Sequence, residues 1–222
     1  MKIQKTTFKN HSVKIISKEK SDSKNIIYIH LYEDCSEQVY ELLTNPKPVI
    51  VSIGTDWNGD MTPWYAPSLY KKEKDFSGNA ENYLKILTKD IVPFAENIIG
   101  FKPENRCITG YSLAGLFAVY AALNTHIFSA FASISGSLWY DGFEDYTDSK
   151  NSTVRYAYFS LGNKEKNTRN SRMSKVENST LSITEKFRQK GIKTDFEFNN
   201  GNHFQDIPLR IAKAINSISN SL

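Results

Sequence analysis

The hexapeptide Gly110-Tyr111-Ser112-Leu113-Ala114-Gly115 flanks one serine with a bare residue two positions before it and a nearly bare one two positions after. Small residues there permit a sharp turn from strand to helix. Such a turn lifts the serine hydroxyl clear of the sheet and aims the amide of the following residue, Leu113, at the same point. The string alone is short, so its meaning rests on what flanks it. "RCITG" upstream has the composition of a strand, and Leu113 to Leu123 downstream reads as a helix that is apolar on nearly every side. That is the context a nucleophile elbow requires, with the Leu113 N–H as one donor to a developing oxyanion.

A serine hydroxyl is a weak nucleophile until a general base lies within hydrogen-bond reach. The chain has four histidines. His11 and His30 fall in or beside strand patterns and read as structural, and His126, which follows the elbow helix, reads as a surface or C-terminal cap residue. His203 stands in "NNGNHFQDIP", between the last strand pattern and the last helix pattern. Parallel α/β sheets gather their chemistry on such loops. The carboxylate that orients the base is expected between serine and histidine in chain order. The loop "YFSLGNKEKNTRN" has Asn163 directly after its glycine and Glu165 two residues on. Glu165 is the candidate, with Asp141, Asp148 and Asp206 as rivals. A Ser-His pair without an acid, or a solvent-exposed Glu165 paired with Lys164 or Lys166, stands as the alternative. A second oxyanion amide is expected in the loop after "PVIVSIG", at Thr55. Trp57, Trp64, Tyr111 and Trp139 are candidate pocket residues, although Trp64 and Trp139 read equally well as packing.

These residues need a scaffold, and the chain supplies alternating patterns for one. "SVKIIS", "NIIYIHLY", "PVIVSIG", "RCITG", "AFASISG", "VRYAYFSLG" and "KTDFEFN" read as strands. Between them, "SEQVYELLTN" reads as a short helix opened by a Ser cap. A longer helix begins near Asn79, with Leu84, Leu87, Ile91, Phe94 and Ile98 on one stripe and a kink expected at Pro93. Asn170 to Arg188 reads as another helix. Ile207, Ile211, Ile215 and Ile218 mark the inner face of the last one, with Asp206 as its expected N-cap. Strands alternating with helix-sized segments predict an α/β three-layer architecture: a mostly parallel central sheet with helices on both faces. An antiparallel pair is expected from the two adjoining strands before residue 33. The short connection from "SGS" to "VRYAYFSLG" leaves no room for a large lid.

The 222 residues fit one domain spanning the chain. With 40% hydrophobic and 23% charged residues, the composition is that of a globular protein. The formal net charge is +4, but lysines and arginines are spread along the chain rather than gathered on one stripe, which argues against nucleic acid as a partner. Two cysteines, Cys35 and Cys107, are too few for a zinc site of the CxxC type. No apolar run approaches the roughly 20 residues of a membrane span, and the N-terminus lacks a signal-peptide core. The expectation is a cytoplasmic protein, monomer or homodimer, that acts on a small molecule.

Taken together, "TGYSLAGLFAVYA", "ASISGSLWYDGF", "YFSLGNKEKNTRN" and "GNHFQDIPLRIAKAI" resemble the α/β-hydrolase superfamily. More narrowly, they resemble its branch of esterase D-like and enterochelin-esterase-like proteins, and the similarity extends from about residue 48 onward. The resemblance implies serine ester hydrolysis through Ser112 and His203 with no metal or organic cofactor, on a small or soluble ester: a siderophore, a carbohydrate-linked acyl group or a thioester. Related members are acyltransferases, and a non-catalytic binding protein of the same fold is the reading from another class. Ala114 in place of the usual glycine and Asn163 where an acid is common are the two departures from the pattern.

Overall fold

The strand "VIVSI", β4 (Val49–Ile53), is buried at every position. A strand with no exposed side chain must be covered on both faces, because its side chains alternate between them. The same holds for β6 (Ala130–Ile134) and β7 (Tyr156–Gly162), and nearly so for β3 (Asn25–His30) and β5 (Asn105–Tyr111). The computed structural model, which describes residues 1–19 and 23–222, joins these strands with β1 (Lys2–Phe8), β2 (His11–Ser17) and β8 (Lys193–Asn199). They form one eight-stranded sheet in the order β1-β2-β4-β3-β5-β6-β7-β8. From β4 to β8 every neighbouring pair is parallel.

Two apolar layers cover this sheet. On one face, α1 (Ser36–Glu41) and α8 (Ile207–Ser221) pack Val39, Ile211 and Ile215 onto Ile27, Ile29 and Ala132. On the other face lie α3 (Ala80–Ile86), α4 (Val92–Ile99), α5 (Leu113–Asn124) and α7 (Val176–Gln189), over Val51, Ile108, Phe131 and Phe159. Two short helices, α2 (Trp57–Asp60) and α6 (Phe143–Asp148), cross the connections. This is the three-layer α/β arrangement with no large lid domain among the described residues.

Several local expectations need correction. The antiparallel edge is made by β1 and β2, and β2 also runs antiparallel to β4, whereas β3 lies parallel between β4 and β5. β1 escapes sequence reading because "KIQKTTF" is half exposed and polar, as suits an edge strand. The long helix from Asn79 contains a π-helical stretch, Leu87–Ile91, just before Pro93. A widened turn accommodates the proline ring, which would otherwise meet the carbonyl four residues back. Ser36 does not cap α1 through its side chain. Instead, the Asp34 carboxylate accepts from the Ser36 N–H at 3.1 Å and from its hydroxyl at 2.5 Å. Asp206 does hold the N-cap position of α8, but in a left-handed conformation with no side-chain hydrogen bond to the helix.

His30, at the end of β3, is fully buried between the rings of Tyr83 and Phe117, with Nε2 2.7 Å from the Tyr83 hydroxyl. Burial, reinforced by nearby His11, pushes its pKa down to about 3. The unfolded chain therefore binds a proton here that the native state refuses. The stabilisation is complete above the unfolded value near 6.5 and is lost as pH falls toward 3. This one group should make the stability fall by on the order of 4 kcal/mol across that window. Urea unfolding of wild type and His30→Phe at several pH values checks this. The variant should show the flatter profile between pH 6.5 and 4, and equal slopes would remove His30 as the cause.

Candidate active site

Ser112 sits between β5 and α5 with φ 61° and ψ −123°, a backbone region that side chains other than glycine rarely adopt. The surrounding chain makes this turn possible. A Cβ at Gly110 would lie 2.2 Å from the Ala114 carbonyl oxygen and 2.6 Å from the Ala114 Cβ, so the residue two before the serine must be glycine. On the far side of α5, a Cβ at Gly115 would come within 2.8 Å of the Gly136 Cα. The Ser112 N–H is held by the Ile134 carbonyl at 3.1 Å, and its carbonyl accepts from Gly115, Leu116 and Ser137. The Leu113 amide begins α5, where a helix leaves its first N–H groups free of intrahelical partners.

The loops at the carboxyl ends of β7 and β8 bring two further groups to the serine. His203 Nε2 lies 3.1 Å from Ser112 Oγ, and Nδ1 lies 2.8 Å from Glu165 Oε2. Glu165 is buried, with its side chain only 3% exposed. Its other oxygen, Oε1, accepts from the Ser135 hydroxyl at 2.7 Å, the Gly162 N–H at 2.7 Å and Arg210 Nη1 at 3.2 Å. Burial alone would raise the Glu165 pKa. The His203 hydrogen bond and charge, with the bonds from Ser135 and Gly162, outweigh it and hold the carboxyl below the ordinary range. An ionised carboxylate can only accept, so Nδ1 carries the proton and Nε2 is left to accept from the serine hydroxyl.

Glu165 reaches His203 because the chain after β7 turns tightly, its own N–H returning to the Gly162 carbonyl at 3.0 Å. Asn163, one residue past the glycine, ties the two loops together instead. Its Oδ1 accepts from the Gly201 N–H at 3.0 Å, and its N–H donates to the Asn199 carbonyl at 2.9 Å. The rival acids are engaged elsewhere: Asp141 with Arg172 and Asp148 with Lys186, while Asp206 is exposed. Nor is Glu165 a solvent-exposed partner of the neighbouring lysines: it is buried against His203 and Arg210, and Lys166 reaches Glu177. His11 meets the Gly54 carbonyl, and His126 meets the Thr153 hydroxyl.

A cavity of about 640 Å³ opens over Ser112 and His203. Trp57, Tyr111 and Trp139 line it, as do Tyr32, Phe76, Met173 and Phe204, which single-residue reading did not select. Trp64 stands apart from the cavity. Its indole N–H donates to the Asp141 carbonyl, and its ring packs on Tyr140, Phe143 and Tyr146, so it is a packing residue. Thr55 also lies off the cavity lining, which in that turn is formed by Trp57 and Asn58. The turn is fixed by the buried Asp60, whose Oδ2 accepts from the Asp56 N–H at 3.0 Å. Two groups beneath the site, Ser135 and Arg210, were also missed. Arg210 had a sequence signal, because it falls on the apolar stripe of α8 between Ile207 and Ala214.

Among the described residues, no cluster of three His, Cys, Asp or Glu is placed to hold a metal, and no helix is long and apolar enough to cross a membrane.

A mostly parallel sheet in this strand order, with a strained serine at the end of its fifth strand, defines an α/β-hydrolase fold. Residues 33–206 match the family model described as "Putative esterase", so the chain belongs to that family and is an esterase. Similar solved structures agree on the fold. An IroE-like serine hydrolase from Shewanella oneidensis superposes with a TM-score of 0.82 at 18% identity, over 98% of this chain and 80% of that one. The siderophore hydrolase EstA from Aspergillus nidulans gives 0.78 at 17% identity, over 99% and 94%. The enterobactin esterase FES from Shigella flexneri gives 0.73 at 13% identity, over 99% of this chain and 60% of that one. No curated protein matches the chain.

Proposed function

We propose that the protein hydrolyses carboxylic esters through an acyl-enzyme on Ser112. The observation that carries this is the continuous relay from Ser112 Oγ through His203 to Glu165, with hydrogen-bond distances of 3.1 and 2.8 Å. Ser112 Oγ bonds to the ester carbonyl carbon as its proton passes to His203 Nε2. The Leu113 N–H, at the start of α5, stabilises the tetrahedral oxyanion, with the Trp57 N–H, at the start of α2 beside the cavity, as the second donor. The intermediate then collapses: the carbon–oxygen bond to the alcohol breaks, and His203 returns the proton to the departing oxygen. Water repeats the sequence on the acyl-enzyme, releasing the carboxylic acid and restoring the serine.

A wide, largely apolar and aromatic cavity with no lid domain among the described residues suits a small or soluble ester. The three similar solved structures are named a serine hydrolase, a siderophore hydrolase and an enterobactin esterase, and a siderophore ester is the natural first substrate to try alongside simple esters. The mechanism is tested by treating the protein with a fluorophosphonate and mapping the adduct by mass spectrometry. One adduct per chain, on the peptide holding Ser112, with hydrolysis lost in proportion, is the expected result. Full hydrolysis after complete labelling at Ser112, or labelling elsewhere, would reject it.

A further inference from the structure

Arg210 heads the fully buried side chains by size, with its side chain 1% exposed. The apolar stripe of α8 carries it under the relay, and its guanidinium ties together the ends of four strands. Nη1 donates to the Tyr111 hydroxyl at 3.2 Å, to Ser135 Oγ at 3.4 Å and to Glu165 Oε1 at 3.2 Å. Nη2 donates to the Asn200 carbonyl at 2.7 Å. Tyr111, whose phenol is kept protonated by burial, in turn donates to the His203 carbonyl at 2.8 Å. The acid-bearing loop after β7 and the base-bearing loop after β8 therefore share one cation.

Desolvating a guanidinium is costly, and an apolar residue would fill this space more cheaply. The arrangement of partners indicates what the charge does. Glu165 Oε1 is saturated by three donors, so Oε2 is left to His203 alone. The positive charge on the far oxygen also offsets part of the carboxylate's pull on a proton at the imidazole. A lone buried carboxylate would favour the imidazolium in the resting enzyme and disable the base in mild acid. We infer that Arg210 is a positioning residue of the reaction: it locks the acid and base loops in register and keeps His203 competent as a base to lower pH than Glu165 alone would allow. This rests on the serine-esterase reading above. The other titratable side chains that share the cavity with the imidazole are Tyr32, Glu33, Cys35, Tyr70 and Glu73, with Asp206 on its own loop; the substitutions below alter none of them.

The test compares kcat, KM and the pH profile of kcat/KM for a short-chain p-nitrophenyl ester in wild type, R210M and R210K, each checked for folding by circular dichroism. In R210M, kcat falls by about 10- to 100-fold with KM nearly unchanged, since a misplacement near 1 Å costs that much. Its acid limb moves up by about one pH unit, because one nearby charge is gone. R210K keeps the charge, so its acid limb stays at the wild-type pH and part of kcat returns. An unmoved limb in R210M, or an equal displacement in R210K, overturns the inference and leaves Arg210 a purely structural residue. If R210M does not fold, R210Q, neutral and still a hydrogen-bond donor, takes its place: an acid limb displaced upward supports the inference, and an unmoved limb overturns it. Wild-type hydrolysis that survives S112A would instead fail the esterase reading, so the two failures are separable.

Discussion

Ser112→Ala is expected to lower kcat for short-chain p-nitrophenyl esters by about 10⁵- to 10⁶-fold while leaving the fold intact. The substitution removes one oxygen and keeps the Cβ, so the strained turn at φ 61° carries the same steric load as before. The turn itself is held by Gly110, Gly115 and the backbone bonds of Ser112, none of which involves the hydroxyl. Without Oγ there is no atom to carry the acyl group. His203 then has no serine proton to take, and turnover falls to what binding and oxyanion donors alone supply, about 10³- to 10⁴-fold over water. The melting temperature should move little, because no buried apolar surface is lost. Steady-state rates and thermal unfolding of the two proteins check both halves. A loss smaller than about a hundredfold would place the nucleophile on another residue.

The reason so much of this site could be read from sequence is that its most demanding part is local. The elbow needs a bare residue at 110, a small one at 114, a strand before and a helix after, all within one short segment. β4 is equally visible, because a strand covered on both faces shows as a nearly continuous apolar run, here "VIVSI". What escaped depends on contacts between distant segments. β1 is a strand only because β2 pairs with it, and its own residues are polar. The placement of β3 between β4 and β5 is a matter of topology that no local pattern records. Glu165 could not be separated from Asp141, Asp148 or a missing acid, because the choice rests on a three-residue turn after Gly162 and on the stitching of Asn163 to Gly201. Trp64 and Trp139 look alike in sequence, yet Trp64 is fixed in an aromatic cluster while Trp139 faces the cavity. Ser135 shows the same limit. Held at φ 48° and fully buried, it aims its hydroxyl at Glu165, and nothing in "SISGS" distinguishes it from its neighbours.

Glu165→Gln should then lower kcat by about 10³- to 10⁴-fold with little change in KM. The size of the effect follows from the partners of Oε1. Ser135, Gly162 and Arg210 all donate to that atom, so in the variant it must remain the amide oxygen. The amide nitrogen is thereby forced toward His203 Nδ1, where it donates. Nδ1 can then only accept, the ring proton moves to Nε2, and the imidazole presents a donor to Ser112 where the reaction needs an acceptor. The residue is conservative in shape and wrong in proton count. A Ser-His pair working without the acid would instead show a nearly unchanged kcat, and that result would remove Glu165 from the mechanism. Stability gives an independent reading, because the neutral side chain leaves the buried Arg210 without its carboxylate, a loss of about 3 to 5 kcal/mol for a pair of this kind. The wild-type carboxyl is held below its ordinary pKa, so its contribution to stability is present above pH 4.5 and is lost as pH falls through the lower native value. Denaturant unfolding should therefore find the two proteins furthest apart near neutrality and converging in acid, while the loss of kcat persists wherever both remain folded.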